Sequence, residues 1–386
     1  MRTLITNAYI YSSQNEEFTK GNLLFADEKI ISTNANDNDA AECVINANSA
    51  LAIPGFVDVH THGRAGYDFC SADINAISKM KMSYLKCGTT SLMPTFASAP
   101  LDKLFEASDL INKSRAELTD GAHFLGIHLE GRYLNPEKRG AHAPELLAEL
   151  DPCELSDLIS RMILPCHITS ALELDRNNAF ANKALELGAS LGLGHTSADY
   201  NQASDIFEKY NVSFSHLFNA MPPLHHRDGG AVCAALTKKA YSELICDGIH
   251  IAPEMIRLAY SCLTNKRFAL ITDSMEASGC ADGTYSIAGN VCKVENGRAL
   301  TLDGKLAGST LDMKQALENL MEFCNIPLSE ALRCATLTPA ELVKSEDSVG
   351  SLDAGKRADI LLTRERGNKL TFEKIICGGK LYDGCI

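Results

Sequence analysis

Six side chains in this sequence could together hold a metal ion and activate a water. His60 and His62 stand two apart, so in extended chain both point to the same side. Glu130, which stands two from His128 in the same way, joins them, and His195, His216 and Asp273 close other apolar runs and complete the six. Imidazole and carboxylate are N/O ligands suited to zinc, iron, manganese or cobalt, and no cysteine is placed to join them. Asp273 has a second role open to it: a carboxylate beside an activated water can take its proton and later deliver it to a leaving group. That is hydrolytic chemistry, and it needs no redox or organic cofactor. A single strand histidine is more often a hydrogen-bonded core residue, so a satisfied core network is the competing reading. It weakens when several strands end this way, because such a set is costly to bury without a cation or a complete set of partners.

The elements that must position these residues alternate strand and helix. Strand candidates are residues 56–60, 90–96, 124–130, 164–168, 189–195, 213–217, 242–247 and 268–273. Helical spacing appears in Ile74, Ile77, Met80, Tyr84 and Leu85, in Leu101, Leu104, Phe105 and Ile111, and in Leu311, Leu317, Leu320, Met321 and Cys324. Eight such units predict an α/β TIM (β/α)8 barrel, which takes ~250 residues. The polar residues then fall at the C-terminal strand ends, where barrel enzymes build their sites. An open doubly wound sheet is the alternative, but no glycine-rich nucleotide fingerprint supports it. Both chain ends read as short strands with turns, at Asp27-Glu28 and Gly378-Gly379 for example. They predict a small discontinuous β domain of residues 1–53 and 345–386 around a catalytic barrel of 54–344.

The chain has 386 residues, and 36 Lys+Arg against 49 Asp+Glu give a net charge of −13. That excludes a general nucleic-acid coat and argues against docking on an anionic membrane. No apolar run approaches the ~18 residues of a membrane span, and Gln14, Glu16 and Glu17 interrupt any signal-peptide core. The 14 cysteines are scattered without a CxxC, so they are expected as buried thiols in a cytoplasmic protein.

Longer motifs carry a resemblance. Pro54-Gly-Phe-Val-Asp-Val-His-Thr-His-Gly resembles the first-strand motif of the amidohydrolase superfamily. Gly126-Ile-His-Leu-Glu-Gly, Asn135-Pro-Glu-Lys-Arg-Gly-Ala-His, Leu193-Gly-His-Thr-Ser and the block His216–Arg227 narrow it to the N-acetylglucosamine-6-phosphate deacetylase family, as do Asp247-Gly-Ile-His, Thr272-Asp-Ser-Met and Leu306-Ala-Gly-Ser-Thr-Leu. The resemblance implies removal of acetate from an N-acetyl amino-sugar 6-phosphate in amino-sugar catabolism, first of all N-acetylglucosamine 6-phosphate. The galactosamine epimer and a different amide are the alternatives.

It further implies Glu130, His195 and His216 as ligands of a main divalent ion, and His60 and His62 as ligands of a second one. Asp273 would be general base and then acid, and His142 would polarise the acetamide carbonyl. Ala141, Asn219, Ala220, Arg227, His250, Leu306, Ala307 and Gly308 would hold sugar and phosphate. Arg227 would come from a neighbouring subunit, hence a homodimer. Arg132, Lys138, Arg139, His225 and His226 are further candidates for a local positive patch. Two departures from the family pattern, Arg132 in place of proline and Asp228-Gly229-Gly230 after Arg227, raise the expectation of a changed epimer or substituent, against neutral loop drift.

Overall fold

The computed structural model describes residues 1–162 and 165–384. Leu164, where the fourth strand was expected to begin, and residues 385–386 lie outside them. The barrel strands are β1 (Phe56–Thr61), β2 (Thr89–Phe96), β3 (Ile127–Glu130), β4 (Cys166–Ser170), β5 (Ser190–Leu193), β6 (Ser213–Phe214), β7 (Ser242–Ile245) and β8 (Phe268–Ile271). They pair in parallel in chain order. Closure is made by backbone: the Asp273 N–H donates to the His60 carbonyl at 2.9 Å, and Thr61 bridges Ser274. The barrel strands are buried nearly throughout, as expected where helices cover the sheet.

Those helices are α1 (Ile74–Lys86), α2 (Leu101–Glu117), α3 (Pro152–Ser160), α4 (Ala179–Glu186), α5 (Tyr200–Tyr210), α6 (Gly230–Lys238), α7 (Pro253–Leu263) and α8 (Met313–Cys324). Side chains cap several of them where the sequence offers Asp: Asp73 starts α1, Asp312 starts α8, and Asp199 with Gln202 forms a capping box on α5.

Strands from both chain ends share one eight-stranded sheet, joined where Leu51–Pro54 runs antiparallel to Ile360–Thr363. Its own apolar cluster includes Ile5, Leu23, Phe25, Ile360 and Ile376. The strand at Lys380–Asp383 was not anticipated, nor was a three-stranded antiparallel insert spanning Gly283–Thr301. That insert packs over the loop after β3: Asn290 donates to the Ala141 carbonyl, and the Ala143 N–H to the Ala288 carbonyl. The expectation of buried thiols needs correction. Cys166, Cys246, Cys292, Cys334 and Cys377 are buried, but Cys153 and Cys280 are exposed.

Candidate active site

The strand ends differ from expectation in one way that matters. His195, His216 and Asp273 lie beyond the hydrogen-bonded ladder, each at positive φ: 48°, 28° and 48°. A left-handed residue cannot continue a strand, so the backbone turns there. Such conformations cost ~1–3 kcal/mol and persist where the surroundings enforce them. His60 and Glu130 remain within β1 and β3.

All six residues meet at the barrel mouth. Glu130 Oε1 lies 2.8 Å from His216 Nε2, 3.1 Å from His195 Nε2 and 3.4 Å from His60 Nε2. Its Oε2 lies 3.1 Å from His62 Nε2 and 3.5 Å from His142 Nε2. Asp273 Oδ1 is 3.2 Å from His62 Nε2. Three groups stand close enough to share an ion: Glu130–His195–His216 and His60–His62–Asp273 at the mouth, and His60–His128–Glu243 deeper in the barrel. His128, which shares a strand face with Glu130, instead turns into the core, bonding the Val59 carbonyl and Thr169.

Burial alone would raise Glu130, but the surrounding imidazoles hold its carboxyl well below the usual range. Asp273 is likewise lowered against its burial, by His62 and His60. Burial pulls His195 down to about 4. It opposes His62 too, yet contact with Asp273 and Glu130 brings that ring up to about 9.

The donor set can be tested for a cation. His195 Nδ1 lies 2.8 Å from the Lys138 carbonyl, which can only accept, so the proton sits on Nδ1. The neutral ring then presents a bare Nε2 to Glu130 Oε1 and, at 3.0 Å, to His216 Nε2. His60 Nε2 is buried with no hydrogen-bond partner. Converging lone pairs repel unless a cation lies among them. Their spacing is close to the ~3.3 Å between ligands on a tetrahedral ion with ~2.0 Å bonds. The residues fit a divalent metal.

A cavity of about 230 Å³ opens over this cluster. Ala141, His142, Asn219, Ala220, His250, Leu306 and Gly308 line it as anticipated. His250 is held there by Asp247, at 2.6 Å. Ala307 does not line it; its side chain is fully buried with Met275, Ile287 and Cys292. Arg227 is exposed, 2.7 Å from His226, and lines none of its own chain's cavity. Arg132 is no free charge either. Its guanidinium pairs with Glu154 and donates to the Ala99 carbonyl, and its φ of 63° is one that proline cannot adopt. Sequence reasoning missed Ala97, Gly140, Ile287, Ala288 and Lys305 in the lining. Gly140 sits at φ 56°, a backbone conformation that strains other residues, and a Cβ there would press on His195 Cε1 at 3.1 Å; it stands in the Arg139-Gly140-Ala141-His142 motif, a signal that could have found it. Lys305 follows the insert, which carried no such signal. A larger neighbouring cavity, of about 510 Å³ between Asp68–Ala72 and the insert, holds none of the six residues.

A parallel eight-stranded barrel with clustered imidazoles and two carboxylates at its C-terminal mouth defines a metal-dependent hydrolase. Residues 51–382 match the Amidohydrolase family. N-acetylgalactosamine-6-phosphate deacetylase of Escherichia coli O157:H7 is 35% identical over 82% of this chain and 85% of that protein. N-acetylglucosamine-6-phosphate deacetylase of Vibrio furnissii is 33% identical over 85% and 82%. Among solved structures, the Pasteurella multocida N-acetylglucosamine-6-phosphate deacetylase superposes with a TM-score of 0.90 at 27% identity, covering 100% of both chains. An aspartate-to-alanine variant of the Mycobacterium smegmatis enzyme, in complex with N-acetyl-D-glucosamine-6-phosphate, matches at a TM-score of 0.86 and 28% identity over 98% and 99%. The chain belongs to the amidohydrolase family, in its N-acetylglucosamine-6-phosphate deacetylase branch. Among the described residues no helix is long and apolar enough to cross a membrane.

Proposed function

We propose that this enzyme removes the acetyl group from N-acetylglucosamine 6-phosphate, giving glucosamine 6-phosphate and acetate. The observation that carries the reading is the bare His195 Nε2 facing Glu130 and His216 beside the ionised Asp273. Glu130, His195 and His216 would hold a main divalent ion, and His60 and His62, with Asp273 beside them, a second; zinc, iron, manganese and cobalt all suit the set. A divalent ion there supplies Lewis acidity to the attacking water and the amide carbonyl.

The chain's own groups supply the rest. Asp273 takes the water proton and returns it to the departing amine. His142 Nδ1 takes the Ser98 backbone N–H at 3.3 Å and lies 2.9 Å from the Ser98 hydroxyl, which can also donate to it; with Nδ1 accepting, the ring's proton is on Nε2, facing the site. That N–H stabilises the oxyanion as the amide carbonyl becomes tetrahedral. Asn219, Ala220 and His250 would bind the sugar and phosphate, with Ala141, Leu306 and Gly308 shaping the pocket. Arg227 would reach the phosphate of a neighbouring subunit, which makes the enzyme a homodimer. The barrel of 54–344 would be the catalytic unit, carried on the β domain of 1–53 and 345–386, in the cytoplasm.

The galactosamine epimer is a second reading, favoured by the Escherichia coli O157:H7 relative. The ion pair of Arg132 with Glu154 removes one of its two sequence grounds and leaves the Asp228-Gly229-Gly230 loop. Acetate release from N-acetylglucosamine and N-acetylgalactosamine 6-phosphates, compared as kcat/KM, tests both. Higher kcat/KM on the glucosamine substrate supports the first reading, preference for the other epimer the second, and release from neither overturns both.

A further inference from the structure

The mouth of the barrel accounts for two of its buried carboxylates. A third, Glu243 on β7, lies deeper in the barrel and has no solvent exposure. Taking a carboxylate out of water is costly, so one kept there needs partners that use it. Its Oε2 has two. One is the His60 ring, with Nδ1 at 2.8 Å. The other is the backbone N–H of His216, which donates at 3.3 Å. Its Oε1 lies 3.6 Å from His167 Nε2 and makes no hydrogen bond.

These contacts have a consequence for the ion site. Seated 2.8 Å from Nδ1, Glu243 Oε2 fixes how the His60 ring is turned, with Nε2 aimed at Glu130 and Asp273, 3.4 and 3.7 Å away. The same oxygen anchors the backbone of His216, a residue held at φ 28°. At the mouth, His60 belongs to the group with His62 and Asp273 and His216 to the group with Glu130 and His195, while Glu243 and His128 form a third, deeper group around His60. One oxygen therefore ties together both halves of the site.

We propose that Glu243 is the positioning residue that builds the His60 side of the metal centre, by fixing the orientation of the His60 ring and registering it against His216. The inference rests on the two-ion reading above. Carboxylates that bond the far nitrogen of a ligating histidine typically account for 10–100-fold in metal affinity. Glutamine keeps an oxygen that can accept from His60 but loses the charge; methionine keeps the volume and loses both.

The test is equilibrium dialysis of the full chain against chelator-buffered zinc, with bound zinc counted and folding checked by thermal melting. Wild type should bind two ions. In E243M the weaker-bound ion should lose about 10–100-fold in affinity, and E243Q should fall between E243M and wild type. The cobalt form gives a spectroscopic check: the absorption of the second Co²⁺ should change in E243Q while that of the first stays. If E243M does not fold, E243Q against wild type carries the test alone. Two ions bound by both variants at wild-type affinity would overturn the proposal, as would a wild type that binds one ion only. A wild type that binds no ion would instead overturn the metal reading itself.

Discussion

Replacing Asp273 by asparagine separates the chemistry from the scaffold. Asp273 sits at φ 48°, a conformation asparagine adopts more readily than most residues, so the backbone turn survives the change. The barrel closure survives too, because the bond to the His60 carbonyl comes from the Asp273 backbone N–H. What is lost is the carboxylate that His62 and His60 keep ionised. A positioned proton-transfer group contributes ~10²–10⁴-fold, and in the proposed reaction Asp273 would serve twice, on the water and on the amine. The expected fall in kcat is about 10³–10⁴-fold, roughly 4–5.5 kcal/mol of barrel-mouth catalysis at ~1.36 kcal/mol per tenfold. KM should stay within a few-fold, since the proposed reading puts Asp273 at the scissile amide and assigns the sugar to Asn219, Ala220 and His250, which line the same cavity. The assay is acetate release at saturating substrate, with metal content measured on the same sample because Asp273 also belongs to the His60–His62 set. A variant with unchanged kcat and a full metal complement would refute the proton-transfer assignment.

Two further outcomes follow from the same geometry. Arg227→Ala should raise KM for the 6-phosphate substrate about 10–100-fold, the worth of one charge-assisted hydrogen bond, and leave an unphosphorylated analogue unaffected; an equal effect on both would remove the phosphate role. In the ion-free protein His62 holds a proton up to about 9, so ion uptake at that side should release it. Affinity should then rise with pH and level off above about 9, whereas titration calorimetry showing no proton release at pH 7–8 would contradict this. The same raised value stabilises the ion-free fold fully below the ordinary histidine range near 6.5. That contribution is lost as pH climbs through about 9.

The barrel and its rim were legible because burial on both faces writes continuous apolar runs, and several of those runs carried at or near their ends a residue that apolar surroundings would not tolerate. Glu130, His195, His216 and Asp273 stand out for that reason. What did not show was backbone geometry. The strands at 189–195, 213–217 and 268–273 read longer than they are because a left-handed turn leaves no mark in hydropathy. The insert at Gly283–Thr301 escaped because its strands, though they alternate in burial, are short and stand outside the strand–helix repeat of the barrel, and with it went Ile287, Ala288 and Lys305. Arg132 looked like substrate chemistry in a loop motif; only the fold shows Glu154 opposite it. Glu243 carried no motif at all, and its role depends on His60 arriving from 183 positions away.

The most direct measurement is activity against metal content in chelator-treated enzyme. Dialysis against a strong chelator should abolish acetate release from N-acetylglucosamine 6-phosphate while the fold remains, and activity should return in proportion to zinc, iron, manganese or cobalt added back. Full-speed hydrolysis by protein shown to hold no metal would contradict the account.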